Sequence, residues 1–519
     1  MLLFTIISAK TTIVTQFLHL KPVIKKQRKS NKQKRKLKIN LTKKIIKMKN
    51  CKINFASSIK FCTIVIICHL IFSSNDASAQ GIRWISSTKG KPWVDMTRDA
   101  TANENQVSTS PVIKLDPHTT FQVIDGFGGC FNELGWQAIL AMSDVNKRET
   151  VLKELFDPQR ANFTLGRVPI GANDFSLKWY SLNETAGDFN MKHFSIERDR
   201  QELIPFVKAA MRYQSKLGIW GVPWCPPSWM TTTEHYKHGH IKTDAKTLSA
   251  YALYFAKYVK EYRAEGLNLY AIMPQNEACY DDNIYPQCQW TGEELNIFLR
   301  DYLLPGLKKQ NVKIEVWHGT ITGGKEPMSF ITPVLNDPIT NPQITGIGLQ
   351  YIGPKITLAS HEKYPDKKIA QTETECYNGK NTWDEGLTTF RKIIENTKNY
   401  VGSYFFWNMV LNESALSSWN WAQNSLITID RKKDSIIFNP EFYAMKHFSS
   451  MVLPGAKHIA LNGSPFQNTV AFSNPSGEKV VAFLNENDQT ILVEIENKGK
   501  RFKLEVPAKS MNTIVLSSK

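Results

Sequence analysis

An α/β fold, a (β/α)8 barrel with a β-sandwich at its side, is the architecture this 519-residue sequence predicts. Three observations point there. From Gln122 to about Leu411 short apolar runs alternate with amphipathic stretches, the pattern of a parallel sheet covered by helices. That length holds eight strand candidates, the number that closes such a barrel. After about residue 445 the pattern changes to apolar/polar alternation between turns, as in VVAFLNE, TILVEIE, FKLEV and NTIVL, which is an antiparallel signal. Residues 82–115 are strand-like too, so both ends of the chain are expected in one sandwich.

Residues 1–79 read as a leader. Residues 1–47 carry fourteen Lys or Arg and no Asp or Glu. Met48 opens a second pattern: Lys49, Lys52 and Lys60 precede the apolar run FCTIVIICHLIF, and Ala77-Ser78-Ala79 has the small-x-small form of a cleavage site. This predicts a secretory signal peptide over 48–79, with 1–47 as upstream sequence, and a secreted or periplasmic protein. The apolar run is too short for a membrane span, so no stable membrane insertion is expected after its removal. The leader's seventeen basic residues and one acid account for sixteen of the net +18, leaving about +2. The basic balance therefore gives no reason to expect nucleic acid as a partner. Cys130, Cys225, Cys279, Cys288 and Cys376 remain after the leader, an odd number that leaves at least one unpaired within the chain.

The expected organisation is leader 1–79, sandwich strands 80–118, barrel 119–440 and sandwich 441–519. Barrel strands are expected around Val123 and over 165–170, 217–222, 269–273, 314–317, 344–351, 368–372 and 404–410. Between them, residues 199–216 place Leu203, Ile204, Phe206, Val207, Ala210 and Met211 largely on one helical stripe. Thr291-Gly292-Glu293-Glu294 is a capping box that starts another helix.

The fourth strand runs LYAIM, breaks at Pro274 and continues Gln275-Asn276-Glu277. The seventh, KKIAQTE, ends 96 residues later in Glu373. Active sites of such barrels lie at the carboxyl ends of the strands. Two carboxylates on that rim suit glycoside hydrolysis, one protonating the leaving oxygen and the other attacking the anomeric carbon or activating water.

The segments GFGGCFNE, RVPIGANDFS, PWCPPSWM, PQNE, QTETEC and FFWNMVLN, in this order over roughly residues 85–519, resemble glycoside hydrolase family 30. That family includes glucosylceramidases and endo-β-1,6-glucanases. The resemblance implies a TIM barrel with a side sandwich and retention of anomeric configuration, with two carboxyls ~5–5.5 Å apart. It implies Glu277, after Asn276, as acid/base and Glu373 as nucleophile, with Glu375 the rival. Asn276 would bond the sugar 2-hydroxyl, and Arg167 would hold Glu373 ionised. Trp224 and Trp407 would form the sugar platform, with Tyr351, Trp229, Tyr280, Trp419 and Trp421 as further candidates. Asp174 and Gln350 complete the expected substrate-binding set. Glu133 stands where the family's glucosylceramidases are expected to carry an Asp that contacts the outer hydroxyls. Gln350-Tyr351-Ile352 replaces His-Trp-Tyr, and Ala278 replaces Pro. These departures bear on which sugar fits.

The expected substrate is a carbohydrate, a glucosylceramide-like β-glucoside or a β-1,6-glucan. Alternatives are a β-xylosidase or an inactive carbohydrate-binding protein on the same scaffold. No cofactor and no metal are expected. Glu234, His235, His238 and His240 lie in a loop without the spacing of a zinc site.

Overall fold

The structure is a computed structural model that describes residues 81–103, 110–278, 284–322, 326–374 and 376–518. The leader, Cys279, Tyr280 and Glu375 lie outside the described residues. The barrel's staves are Gly126–Cys130, Leu165–Pro169, Gly218–Val222, Leu269–Ile272, a split fifth stave, Gly346–Gln350, Lys368–Glu373 and Val401–Asn408, each parallel to its neighbours. The fifth stave divides the work of closure. Glu315–Val316 pairs with the fourth stave and Thr320–Ile321 with the sixth, and the bridges Asn276↔Thr320 and Val316↔Ile344 complete the ring.

The first stave differs from the expectation around Val123. Val123 instead ends the long strand Val112–Val123, a member of the sandwich, and the chain enters the barrel as Gly126-Phe127-Gly128-Gly129. A glycine run carries little strand signal. It is needed because the staves approach closely: a Cβ on Gly128 would lie 1.8 Å from the Leu165 carbonyl oxygen. The eighth stave likewise ends at Asn408. Val410–Asn412 leaves it to pair with Ile427–Asp430 in a small three-stranded sheet.

The helix expected over 199–216 is two helices, Glu197–Gln201 and Leu203–Met211, with a break at Glu202 (φ −123°, ψ −74°). Pro205 explains it, since its ring would clash with the carbonyl of residue 201 in a continuous helix. The capping box at Thr291 is present, with Thr291 and Glu294 each accepting from the other's backbone N–H.

The sandwich joins the two ends of the chain. Ile82–Thr88 pairs antiparallel with Ser510–Leu516, and Trp84, Ile113, Val493, Ile495, Phe502 and Leu504 share its core. Helix Pro440–Ser449 packs on helix Trp383–Lys398 and the first stave, so the barrel runs on past the expected boundary at 440. No helix of the described residues is long and apolar enough to cross a membrane.

Candidate active site

The stave ends bring together residues far apart in sequence. Past the buried fourth stave, the Gln275 amide donates to the Trp224 carbonyl (2.6 Å), and the Asn276 N–H donates to the Pro223 carbonyl (2.8 Å). The Glu277 N–H donates to the Thr320 carbonyl (2.9 Å), and the residue takes a left-handed backbone (φ 49°), a sparsely populated conformation for a side chain of this size. The split fifth stave thus sets the height and aim of Glu277.

Arg167, on the second stave, is fully buried and acts as the hub. Its Nη1 donates to Glu373 Oε2 and its Nη2 to Asn276 Oδ1, both at 2.5 Å. Its guanidinium lies 4.5 Å from the centre of the Trp224 ring, and Trp407 stands 5.3 Å behind Trp224. The Thr320 hydroxyl lies 3.0 Å from Asn276 Oδ1 and 2.8 Å from Gln350 Oε1, and its one proton serves either acceptor. The second Glu373 oxygen accepts from the Tyr351 hydroxyl (3.1 Å), which also sits 2.7 Å from Cys376 Sγ. Glu277 Oε2 accepts from the Tyr285 hydroxyl (2.7 Å).

Asp174, Glu277 and Glu373 share a cavity of about 590 Å³. Trp224, Tyr285, Tyr351, Tyr377, Trp419 and Trp421 supply its aromatic walls, and Thr322, Lys392 and Gln423 its other polar groups. Burial, and then the charge of Glu373, push the Glu277 carboxyl up to about 7; the Tyr285 hydroxyl and Gln350 amide pull the other way. Burial also raises Glu373, but the Arg167 guanidinium opposes it directly. Of the two, Glu373 therefore loses its proton first, and its charge then keeps the proton on Glu277. Asp174 is raised by burial and by Glu373, and its Oδ1 has no hydrogen-bond partner among the described residues.

Several expected site residues sit elsewhere or act differently. Glu133 is off the cavity wall. It starts helix Glu133–Leu140, is fully buried, and spends both oxygens on Arg198 (3.0 and 2.7 Å) and the Leu177 N–H (2.6 Å). Asp174, from the loop after the second stave, is the carboxylate that faces the cavity beside the two glutamates. Trp407 is fully buried behind Trp224, which alone of the pair lines the cavity. Trp229 is buried, its indole N–H donating to the Asn183 carbonyl (3.0 Å). Glu234 pairs with Lys242 at 2.8 Å. Gln350 is buried off the wall, its side-chain oxygen 2.8 Å from the Thr320 hydroxyl, whereas Tyr351, Trp419 and Trp421 reach the wall. Tyr285 and Thr320 went unrecognised from sequence. Tyr285 is eight residues past Glu277 in an aperiodic loop, and Thr320 owes its place to the fifth stave's division. Cys130, Cys225, Cys288 and Cys376 are free and buried.

The arrangement can present a proton and a carboxylate to one bond. The model of the glycosyl hydrolase family 30 TIM-barrel domain matches residues 124–452, and that of the family's β-sandwich domain matches 455–514. The lysosomal acid glucosylceramidase of Mus musculus is 27% identical over 405 residues, 72% of this chain and 77% of that protein. The endo-1,6-β-D-glucanase neg1 of Aspergillus fumigatus is 26% identical over 430 residues, 76% of this chain and 86% of that protein. The crystal structure of SrfJ from Salmonella typhimurium superposes with a TM-score of 0.76 at 24% identity, covering 84% of this chain and all of that one.

Proposed function

The chain belongs to glycoside hydrolase family 30 and is a β-glycosidase, and on that premise we propose that it cleaves β-glucosides with retention through a covalent glycosyl-enzyme. What carries this reading is the unlike surroundings of two glutamates on one cavity: Arg167 beside Glu373, and Glu277 pushed up to about 7. Glu373 is the nucleophile. It attacks the anomeric carbon as the glycosidic C–O bond breaks, while the Glu277 proton passes to the departing oxygen. The ester on Glu373 carries no charge, so the main electrostatic load on Glu277 vanishes and its carboxylate becomes available as a base. Water then gives its proton to Glu277 and its oxygen to the anomeric carbon, which releases Glu373.

Asn276 and Arg167 are positioning groups in this scheme, the arginine holding both the nucleophile and the asparagine. Trp224 offers a ring face to the C–H side of the sugar, and Asp174 an acceptor for its hydroxyls. The FCTIVIICHLIF run and Ala77-Ser78-Ala79 support export to a secreted or periplasmic location. N-terminal sequencing of protein recovered outside the cytoplasm would give Gln80 as the first residue, and an uncleaved leader would overturn it.

The decisive experiment traps the intermediate with a 2-deoxy-2-fluoro-β-D-glucoside carrying a good leaving group, followed by peptide mass spectrometry. A fluoroglucosyl ester on Glu373 is expected. A label on another residue would move the nucleophile, and inverted product seen by NMR would remove the covalent step.

A further inference from the structure

One wall of the cavity is a ladder of three rings that begins at the acid. The Tyr285 hydroxyl bonds Glu277 Oε2 at 2.7 Å. Its ring stacks on Trp419 (centres 6.1 Å apart, planes 26° apart), and Trp419 packs on Trp421 (5.0 Å, 32°). All three line the cavity, and Trp421, the far rung, is 38% exposed. An exposed indole next to a second indole is costly to leave in water and marks a place where something flat and partly apolar docks.

The side of the scissile bond served by the ladder follows from the chemistry. A general acid must touch the glycosidic oxygen, which belongs to the leaving group. A surface that begins at the hydrogen-bond partner of Glu277 and runs outward therefore lies along the leaving group. The character of the lining decides what that group is. Among the described residues the cavity wall includes no Leu, Ile, Val or Met, and Thr322, Lys392 and Gln423 share it with the rings. Alkyl chains pack best against branched aliphatic walls. Rings together with hydrogen-bonding groups suit a pyranose, which has C–H faces and a hydroxyl rim.

We propose that Tyr285, Trp419 and Trp421 form a leaving-group subsite that stacks a second sugar ring, so that the natural aglycone is a saccharide rather than a lipid. Trp421 determines that preference. It is a binding residue and takes no part in the proton or nucleophile chemistry. The inference rests on the β-glucosidase reading above and specifies its substrate.

The test compares two substrates that share a glucosyl donor but differ in leaving group, using the full chain. β-D-Glucosyl fluoride has no ring to stack; gentiotriose, a β-1,6-linked trisaccharide, does. The ratio of kcat/KM for gentiotriose to that for the fluoride should fall at least tenfold in Trp421→Ala, chiefly through KM, and recover largely in Trp421→Phe. An unchanged ratio in Trp421→Ala overturns the subsite. So does higher kcat/KM on micellar glucosylceramide than on gentiotriose for the wild type. A wild type that turns over neither gentiotriose nor the fluoride overturns the β-glucosidase reading itself, and the inference with it. Turnover of the fluoride with an unmoved ratio would leave that reading standing and sink the ladder alone.

Discussion

Replacing the Glu373 carboxylate by an amide removes the proposed nucleophile and also the charge that keeps the proton on Glu277. Glu373→Gln is accordingly expected to cut kcat on p-nitrophenyl β-D-glucoside by about 10³-fold or more, while the fold, read by circular dichroism, is retained. Wild-type turnover in this variant would exclude Glu373. The pH profile separates the two roles. Glu277 must be protonated to act first, so kcat/KM should fall as pH rises through about 7. The Tyr285 hydroxyl stabilises the ionised form of Glu277. Removing it in Tyr285→Phe should move the alkaline limb to higher pH by about one unit, the weight of one hydrogen bond to a charged group. A limb that stays put or moves down would detach Tyr285 from the acid. The two glutamates were legible from sequence because each ends an apolar strand. Of their partners, Arg167 was expected beside Glu373 from the family resemblance and Tyr351 only as a sugar-platform candidate, whereas Thr320 and Tyr285 carried no signal because they come from other places in the chain.

Among the elements, the first stave and the split fifth stave matter most for the site. Gly128→Ala would drive a methyl to 1.8 Å from the Leu165 carbonyl oxygen, a backbone atom of the neighbouring stave with no flexible group to yield. We expect a loss of more than about 3 kcal/mol, seen as insoluble protein or a collapsed melting temperature. Gly353→Ala is the control, since a Cβ there meets nothing within 4 Å. It should cost no more than about 1 kcal/mol, as expected for a helix N-cap position. Thr291→Ala, which removes the capping box, should cost about 1 kcal/mol without altering activity. Element boundaries slipped wherever a backbone constraint outweighed hydrophobic pattern. The Gly126–Gly129 segment offers only Phe127 as a side-chain signal, and Pro205 cuts a helix whose apolar stripe continues through it.

At the scale of the molecule, His447 is one of several polar links between barrel and sandwich, beside the Arg391–Glu486 ion pair (2.6 Å). It projects from helix Pro440–Ser449, and its two ring nitrogens meet the hydroxyls of Ser87 and Thr513, on the first and last sandwich strands, both at 2.9 Å. Burial and neighbouring Lys446 press its pKa down to about 3. The folded state thus keeps this ring neutral while the unfolded chain gains a proton near 6.5. Between those values the unfolded state binds more protons, so the contribution is intact above about pH 6.5 and drains away as pH falls toward 3. Melting temperature should drop over that window, and drop less in His447→Gln, which can retain hydrogen bonds but cannot charge. Equal drops in both proteins would place the acid sensitivity elsewhere; His458, held near 4 by burial and Lys398, would be the next candidate.

Taken alone, the sequence determined the alternation of strands and helices, the sandwich built from both chain ends, and the two carboxylates on the rim. These follow from period, patterning and turn chemistry, which act over a few residues at a time. Only the tertiary structure decided that Asp174 rather than Glu133 faces the cavity, that Trp407 backs Trp224, and that the Tyr285–Trp419–Trp421 ladder begins at the acid. Such choices turn on which of several nearby partners a buried polar group can reach. Arg198 captures Glu133 completely, whereas one Asp174 oxygen finds no partner among the described residues. Those distances exist only once the eight staves have closed.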